Sequence, residues 1–220
     1  MKPSRPIFPA SRTVVPVRWR AGIERVLIPE THIARRVREL ARAIQRDYSG
    51  RDLVVVSLLN GTVLFLADLI RHLSLPLRLD FIGVSSYRSG TRPGPLVFTK
   101  ELRLDVRNRD VLLVDDILDS GRTLASVIRR LRKLRPRCLR VCVFLEKQVA
   151  RVQPVAADYV GFTIPDEFVV GYGLDYAEHF RNLPFVGVLR RSQYEVASDV
   201  PSHPGAPRRN RGGRRPSAIP

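Results

Sequence analysis

The sequence has 220 residues, of which 44% are hydrophobic and 27% charged, enough for one globular domain with a buried core. It contains no apolar run of about 18 residues, and residues 1–20 lack the apolar segment of a secretory signal. We therefore expect a cytoplasmic protein without membrane association. The net charge of +17 is concentrated in part at 1–20 and 201–220, which hold basic but no acidic residues. We interpret both ends as solvated tails, with nucleic-acid attachment as the less favoured alternative.

Hydrophobic periodicity predicts strands that alternate with helices along most of the chain. In chain order we predict a short strand at 24–29, a helix from about 31 to 48, a strand at 53–58, a helix at 63–73, a strand at 77–84, a loop at 85–95, a strand at 111–114, a helix at 123–134, a strand at 139–145 and short strand-like segments at 159–162, 168–171 and 185–189. This alternation implies an α/β fold with a central, mostly parallel sheet flanked by helices. We place one domain at 22–190, between disordered basic tails at 1–21 and 191–220.

The two cysteines, Cys138 and Cys142, fall within one predicted strand. Four residues of extended chain separate their Cα atoms by roughly 13 Å, whereas a disulfide requires less than about 7 Å. We therefore expect two unbridged cysteines that contribute to the core.

The segment that follows the strand at 111–114 carries the clearest chemical pattern. Asp115 and Asp116 come directly after the strand, Asp119 follows, and Ser120-Gly121-Arg122-Thr123 opens a helix. Open α/β sheets bind ligands at the carboxyl ends of their strands, and a helix N-terminus with glycine and hydroxyl side chains offers donors to a phosphate. Carboxylates repel phosphate but suit hydroxyls, a metal ion or a proton. The pattern indicates a sugar phosphate site, because helix capping explains only one of the three acidic residues.

This segment, Asp115-Asp116-x-x-Asp119-Ser120-Gly121-x-Thr123, resembles the signature of type I phosphoribosyltransferases that binds 5-phosphoribosyl-1-pyrophosphate (PRPP). From about Glu24 to Leu189 the chain also resembles the hypoxanthine-guanine branch of this family. The supporting segments are, in order, Leu58–Thr62, Phe65–Leu69, Asp80-Phe81, Ser86-Tyr87, Leu145–Lys147, Phe168–Tyr176 and Phe180-Arg181. The resemblance implies a type I phosphoribosyltransferase fold with a small hood formed by N- and C-terminal segments. It also implies Mg²⁺-dependent transfer of the phosphoribosyl group from PRPP to hypoxanthine or guanine.

The resemblance assigns a role to individual residues of the PRPP signature. Asp119 is expected to act as general acid/base near purine N7. Asp115 and Asp116 are expected to hold the ribose hydroxyls, directly or through Mg²⁺, and Asp175 is the third expected metal-binding residue. The expected 5-phosphate contacts are Ser120, Gly121, Arg122 and Thr123.

Other expected contacts lie outside that signature. Those to pyrophosphate are Asn60, Gly61 and Arg181, those to the purine are Lys147, Phe168 and Val169, and those on a loop that closes over the site are Ser86 and Tyr87. A lysine opposite a carbonyl selects 6-oxopurines over 6-aminopurines, because an ammonium group has donors only.

At one position the sequence departs from the family pattern. Asn60 stands where relatives often have lysine, within a segment that binds pyrophosphate largely through backbone amides. The resemblance implies a cis peptide bond between Leu59 and Asn60. Asparagine keeps the backbone but lacks the cation, so the strength of pyrophosphate binding stays open.

Two alternative functions remain open. A regulatory protein that keeps the phosphoribosyltransferase fold and binds RNA would account for the basic tails, but it needs no purine pocket. A phosphoribosyltransferase for another base is the other alternative, for which xanthine is compatible with Lys147 and adenine is not. The resemblance implies a homodimer or homotetramer, and it does not rank hypoxanthine, guanine and xanthine.

Overall fold

The structure, a computed structural model, describes the backbone of residues 14–89 and 92–194, and the side chains of these residues outside 86–95. The α-helices and strands in these ranges are β1 (Ile23–Ile28), α1 (Glu30–Asp47), β2 (Leu53–Leu59), α2 (Val63–Arg71), β3 (Leu77–Ser89), β4 (Arg92–Lys100), β5 (Asp110–Leu118), α3 (Arg122–Lys133), β6 (Cys138–Lys147), β7 (Tyr159–Ile164), β8 (Val169–Val170), β9 (Val186–Leu189) and α4 (Arg191–Tyr194). Within the described ranges, no helix combines the length and apolarity needed to cross a bilayer.

A six-stranded sheet forms the centre of the molecule, in the order β4-β3-β2-β5-β6-β7. Neighbouring strands are parallel except for the edge pair of β3 and β4, which is antiparallel. The predicted α/β fold with a mostly parallel sheet is confirmed.

Both faces of this sheet are buried, which explains why β2 and β5 are continuous apolar runs rather than alternating ones. Leu53 and Val55 of β2 belong to the core shared with α1 and α2. Val54 and Val56 belong to a second core, on the opposite face, shared with α3. Cys142 is buried in the first core and Cys138 is half-buried; both are free, as predicted, and burial raises the pKa of the Cys142 thiol.

A smaller antiparallel sheet of β1, β9 and β8 brings the two ends of the domain together. This sheet is the hood that the sequence predicted. It has its own apolar cluster, which includes Val26, Val170 and Leu189.

Residues 14–21 differ from the expected unstructured tail. They contain a 3-10 turn at Val17–Trp19, and Val15 is buried in the hood cluster. The side chains of Val15 and Trp19 pack against residues that are far away in sequence, which local composition does not reveal. Helix α4 likewise begins inside the predicted C-terminal tail. The remainder of both predicted tails, 1–13 and 195–220, lies outside the described residues.

The segment 85–95 also differs from the prediction of a loop. Strand β3 continues to Ser89 and pairs with β4, with Ser86 opposite Leu96. The glycine, serine and arginine content of this segment indicates a turn, but it does not reveal that the chain doubles back and satisfies its backbone groups by antiparallel pairing. Ser86 and Tyr87 therefore lie on a β-hairpin beside the carboxyl edge of the sheet.

Candidate active site

A cleft opens at the carboxyl edge of the central sheet, where β2 and β5 end and the loops after them meet. This is the position at which open α/β sheets bind ligands. The cleft is lined by Leu58, Leu59, Gly61, Thr62, Val84, Asp115, Asp116, Ile117, Leu118, Asp119, Ser120, Gly121, Thr123 and Leu124. The sequence predicted seven of these residues as site residues.

The PRPP signature forms one wall of the cleft. Strand β5 runs beyond the predicted 111–114 and includes Asp115 and Asp116, whereas Asp119 is exposed in the turn that follows. Gly121 has a φ of 78°, and a Cβ there would lie 2.4 Å from the carbonyl oxygen of Gln153, so only glycine fits. Helix α3 begins at Arg122, and no side chain of the described residues caps it. Its first N–H groups are thus available to an anion.

Asp115 and Asp116 place two neighbouring carboxylates in the cleft, where Asp115 is buried and Asp116 is half-buried. Asp115 Oδ1 accepts hydrogen bonds from the Asp116 N–H (3.0 Å) and the Thr62 hydroxyl (3.4 Å), and Asp116 Oδ1 accepts one from the Ile117 N–H (2.8 Å). Burial, followed by repulsion from Asp116, raises the pKa of Asp115 well above its usual range. Burial also raises the pKa of Asp116. Both carboxyls would be stabilised by hydroxyl donors or a cation in the cleft.

The loop after β2 forms the opposite wall, and the expected cis peptide between Leu59 and Asn60 is present. A Cβ at Gly61 would lie 1.8 Å from Asp116 Oδ2, so the loop approaches the carboxylate as closely as only glycine permits. Thr62 was assigned no role by the sequence, although it is a buried hydroxyl at the end of a recognised segment. We call residues 59–62 the pyrophosphate loop, after its expected ligand.

Lys147 lies at the end of β6 and points to Asp119. Its Nζ is 3.3 Å from Asp119 Oδ2 and 3.2 Å from Asp166 Oδ1, and its side chain is only 12% exposed. The ammonium of Lys147 and the carboxylate of Asp119 are therefore neighbours, and their expected roles at the purine stay predictions. Asp166 was not predicted, because no sequence pattern marks a single acidic residue in the turn after β7.

Phe168 and Val169 belong to the hood rather than to the lining of the cleft. Phe168 is 36% exposed, contacts Tyr176 edge-on at 5.6 Å and stacks on Tyr194 at 5.1 Å between ring centroids. Val169 is paired with Val188 in the hood sheet. The expected purine contacts of both residues stay predictions.

Arg181 is fixed by the turn at 175–181, which we call the Arg181 turn. Its guanidinium lies 2.9 Å from Asp175 Oδ1 and donates to the Gly173 carbonyl, also at 2.9 Å. A Cβ at Gly173 would lie 2.0 Å from the Gly61 carbonyl oxygen, so the chain leading into this turn packs directly on the pyrophosphate loop. The Arg181 charge also lowers the pKa of Asp116, against the larger effect of burial.

Asp175 is not gathered with the two aspartates of β5 into a metal centre. No group of three or more histidine, cysteine, aspartate or glutamate side chains in the described ranges is placed to hold a metal ion. Asp175 Oδ2 instead accepts the Glu178 N–H. The side chains of Ser86 and Tyr87 lie outside the described ones, so their role in closure stays a prediction.

The overall fold agrees with comparisons to known proteins. Residues 29–177 match the family described as the phosphoribosyl transferase domain. The chain belongs to this family. Similar phosphoribosyltransferases include hypoxanthine phosphoribosyltransferase of Salmonella typhimurium, which is 46% identical over 165 residues, 74% of this chain and 93% of that protein.

A solved structure, the hypoxanthine phosphoribosyltransferase of Staphylococcus aureus, has a TM-score of 0.77 and 39% identity over 82% of this chain and 99% of its own. The chain is also 42% identical to the bifunctional protein TilS/HprT of Listeria innocua over 173 residues. That match covers 78% of this chain but only 27% of the Listeria protein. The chain therefore corresponds to a part of that larger relative.

Proposed function

We propose that this phosphoribosyltransferase acts in purine salvage. It transfers the 5-phosphoribosyl group of PRPP to a 6-oxopurine, hypoxanthine or guanine, and gives IMP or GMP and pyrophosphate. The observation that carries the proposal is the pair of Asp119 and Lys147, 3.3 Å apart. In a 6-oxopurine the 6-oxo group and N7 are neighbours, and they match an ammonium donor beside a carboxyl group. The similarity to hypoxanthine phosphoribosyltransferases supports the same choice of base.

The base reacts as a nucleophile, and it loses a proton as its bond to the ribose C1 forms. Asp119 is placed to hold that proton at N7 as general acid/base. Lys147 donates to the 6-oxo oxygen, where negative charge accumulates as the proton leaves, and this contact favours the transition state. An amino group at the 6-position offers this ammonium no acceptor, so adenine is excluded.

PRPP lies along the cleft, with its 5-phosphate at the N-terminus of α3. The uncapped N–H groups there, together with the hydroxyls of Ser120 and Thr123, donate to the phosphate. The ribose hydroxyls donate to Asp115 and Asp116, whose carboxylates line the cleft and have few protein donors. Pyrophosphate is held by the backbone amides of the pyrophosphate loop and by the guanidinium of Arg181.

The residues of the cleft fit Mg²⁺ bound together with PRPP. Asp115 and Asp116 offer carboxylate oxygens whose raised pKa values a cation would lower, with Asp175 as a further contact to its hydration shell. Mg²⁺ commonly takes only one or two protein carboxylates and completes its shell with phosphate oxygens and water. When bound, it neutralises the charge of the departing pyrophosphate.

The hairpin of β3 and β4 is proposed to cover the site. Val84 already lines the cleft, and Ser86 and Tyr87 follow it on the same strand. Closure would exclude water, which would otherwise capture the reactive ribose and yield a hydrolysis product. We further propose that the protein works in the cytoplasm as a homodimer or homotetramer.

The direct test is nucleotide formation from PRPP and Mg²⁺ with hypoxanthine, guanine, xanthine, adenine and uracil, each supplied separately. We expect turnover with one or more 6-oxopurines and none with adenine or uracil. Turnover with adenine would overturn the role of Lys147. If folded protein binds PRPP but converts none of the bases, the activity is wrong, and RNA binding by the basic tails becomes the function to test.

A further inference from the structure

Residues 14–22 form an ordered segment, the N-terminal strap, which lies across the hood. Val15 is buried, and its carbonyl accepts a hydrogen bond from Arg20 Nε at 3.0 Å. Arg190, just after β9, donates from its N–H to the Gly22 carbonyl and from Nε to the Arg20 carbonyl, both at 2.9 Å. The strap is therefore tied at several points to the end of the domain.

The strap also packs on the Arg181 turn. The rings of Trp19 and Phe180 have centroids 6.1 Å apart, within the range of attractive aromatic pairs. The backbone of Gly22 lies so close to the Phe180 ring that a Cβ would be 3.1 Å from two of its atoms. Trp19 thus forms one side of a surface cleft whose other side is residues 178–182.

The Arg181 turn has a backbone that requires support from its surroundings. Ala177, Glu178 and Phe180 have φ values of 49°, 65° and 73°, all in the left-handed region that residues with a Cβ rarely adopt. Such conformations persist only where neighbouring contacts hold them. The contact of Trp19 and Gly22 with Phe180 is one such contact, and it acts on the residue directly before Arg181.

A continuous series of contacts leads from this support to the cleft. Arg181 and Gly173 exchange hydrogen bonds: the Gly173 N–H donates to the Arg181 carbonyl, and the Arg181 guanidinium donates to the Gly173 carbonyl, both at 2.9 Å. Gly173 packs on Gly61, and Gly61 packs on Asp116. A displacement of Phe180 would therefore move the guanidinium and the pyrophosphate loop together.

We propose that Trp19 is a positioning residue for pyrophosphate and for the pyrophosphate group of PRPP. It touches neither ligand; it holds Phe180, and through Phe180 the guanidinium of Arg181. The inference rests on the proposed function, which assigns pyrophosphate to Arg181. It implies that a segment outside the matched family range of 29–177 affects the affinity for PRPP more than the affinity for the base.

Kinetics separate this role from a general structural one. We expect Trp19→Ala to raise the KM for PRPP, and for pyrophosphate in the reverse reaction, by roughly 5- to 10-fold, the size of one lost aromatic contact. The KM for hypoxanthine should change less, because Lys147 lies on β6, outside the Arg181 turn, and only Phe168 touches that turn, through its contact with Tyr176. Trp19→Phe should restore most of the affinity. Val17→Ala is the matched control, because Val17 lies in the same turn but is 77% exposed.

Trp19 is the single tryptophan of the chain, so its fluorescence reports on the strap in the unmodified protein. We expect saturable change in its emission when pyrophosphate with Mg²⁺ is added, and none with hypoxanthine alone. An unchanged emission, or a Trp19→Ala protein with normal KM for PRPP and pyrophosphate, would overturn the proposal.

Direct binding of pyrophosphate, measured by calorimetry, distinguishes failure of this inference from failure of the proposed function. A wild-type protein that binds pyrophosphate but transfers no phosphoribosyl group contradicts the activity alone. Weaker pyrophosphate binding by Trp19→Ala than by Val17→Ala would then still support the strap. Equal binding by both variants would contradict it, whether or not the enzyme is active.

Discussion

Two buried aspartates in this molecule have opposite surroundings. Asp80, at the root of the β3–β4 hairpin, accepts hydrogen bonds from Lys100 Nζ and from the N–H groups of Phe81, Arg103 and Leu104. Burial alone would raise its pKa, but these donors lower the pKa to about 2. Asp115 is as deeply buried, receives fewer and weaker donors, and has a raised pKa.

The difference separates a structural carboxylate from a binding one. At Asp80 the lone pairs are used within the protein, so the carboxylate fixes the hairpin where it leaves the sheet. At Asp115 lone pairs remain open towards the cleft, at a cost in stability that a ligand can offset. A buried carboxylate with too few donors is thus a physical sign of a binding site.

The largest effect is expected from Asp119→Asn, a substitution in the binding cleft that also contains Asp115. Turnover should fall by about 10²–10⁴-fold, because the general acid/base is lost, while PRPP affinity stays nearly intact. Steady-state rates and PRPP binding measure the two quantities. Asp166→Asn is the control, since Asp166 is the other carboxylate beside Lys147 and should alter turnover by no more than about fivefold, the limit for an exposed ion pair. Unchanged turnover in Asp119→Asn would remove this residue from the chemistry.

The next largest effect is a difference in the free energy of unfolding between Asp80→Asn and Asp115→Asn. Asp80→Asn should lower the free energy of unfolding by about 2–3 kcal/mol, because charge-assisted hydrogen bonds are lost and Lys100 keeps a poorer partner. Asp115→Asn should leave it unchanged or raise it by about 1 kcal/mol, because a desolvated charge next to Asp116 is removed. Urea unfolding at pH 7 gives both values.

The same two variants should differ in the opposite sense in ligand binding: Asp80→Asn loses stability but still binds the ligand, whereas Asp115→Asn keeps its stability but loses binding. PRPP with Mg²⁺ should raise the melting temperature of Asp80→Asn, as in the wild type, but not that of Asp115→Asn. Equal destabilisation by the two substitutions would show that Asp115 is structural as well, and the contrast between the two carboxylates would fail.

The features that could be predicted from the sequence are those whose residues lie close together in the chain. The aspartates of β5 and the glycine of the following turn lie within ten residues of each other, so they can be recognised in the sequence as one binding motif. The type of fold was predictable for a similar reason, since each strand and helix has its own periodicity. The cis peptide was expected from the family resemblance, which gave Lys147 and Asp119 separate roles at the purine but did not indicate that their side chains are in contact.

What could not be predicted depends on partners that are distant in the chain. Trp19 and Phe180 are separated by most of the domain, and neither belongs to a periodic pattern that shows their contact. Asp80 was recognised only as part of a family segment, because its donors come from a strand end twenty residues later. The hairpin was missed because antiparallel pairing leaves no mark in a segment rich in glycine, serine and arginine.

The pH dependence of stability tests whether Asp80 stabilises the fold through its charge. The pKa of Asp80 is lowered from 3.8 to about 2 on folding, so its carboxylate stabilises the protein above pH 4. This contribution, about 2 kcal/mol, should be lost as the pH falls from 4 towards 2. The difference in unfolding free energy between wild type and Asp80→Asn should therefore narrow when urea unfolding is repeated from pH 5 down to pH 3. A difference that stays constant would mean that Asp80 acts through packing instead of charge.

The smallest effect is expected from adding a cation to the pyrophosphate loop, beside the carboxylates of Asp115 and Asp116. Asn60→Lys restores the charge that relatives often carry in the pyrophosphate loop. We expect the KM for PRPP to fall by about 2- to 5-fold, the value of one solvent-accessible charge pair, with no change in the KM for hypoxanthine. His72→Lys is the control, because it adds the same charge at the exposed far end of α2.

The control separates a local contact from general attraction of a polyanion by a basic protein. If both substitutions lower the KM for PRPP equally, and both effects disappear at high salt, the gain comes from long-range steering. A gain specific to Asn60→Lys would show that the backbone amides leave room for a cation. A higher KM for PRPP would instead indicate that the new ammonium forms an ion pair with Asp116, which packs against Gly61 of this loop. The lysine would then compete with the ligand for that carboxylate.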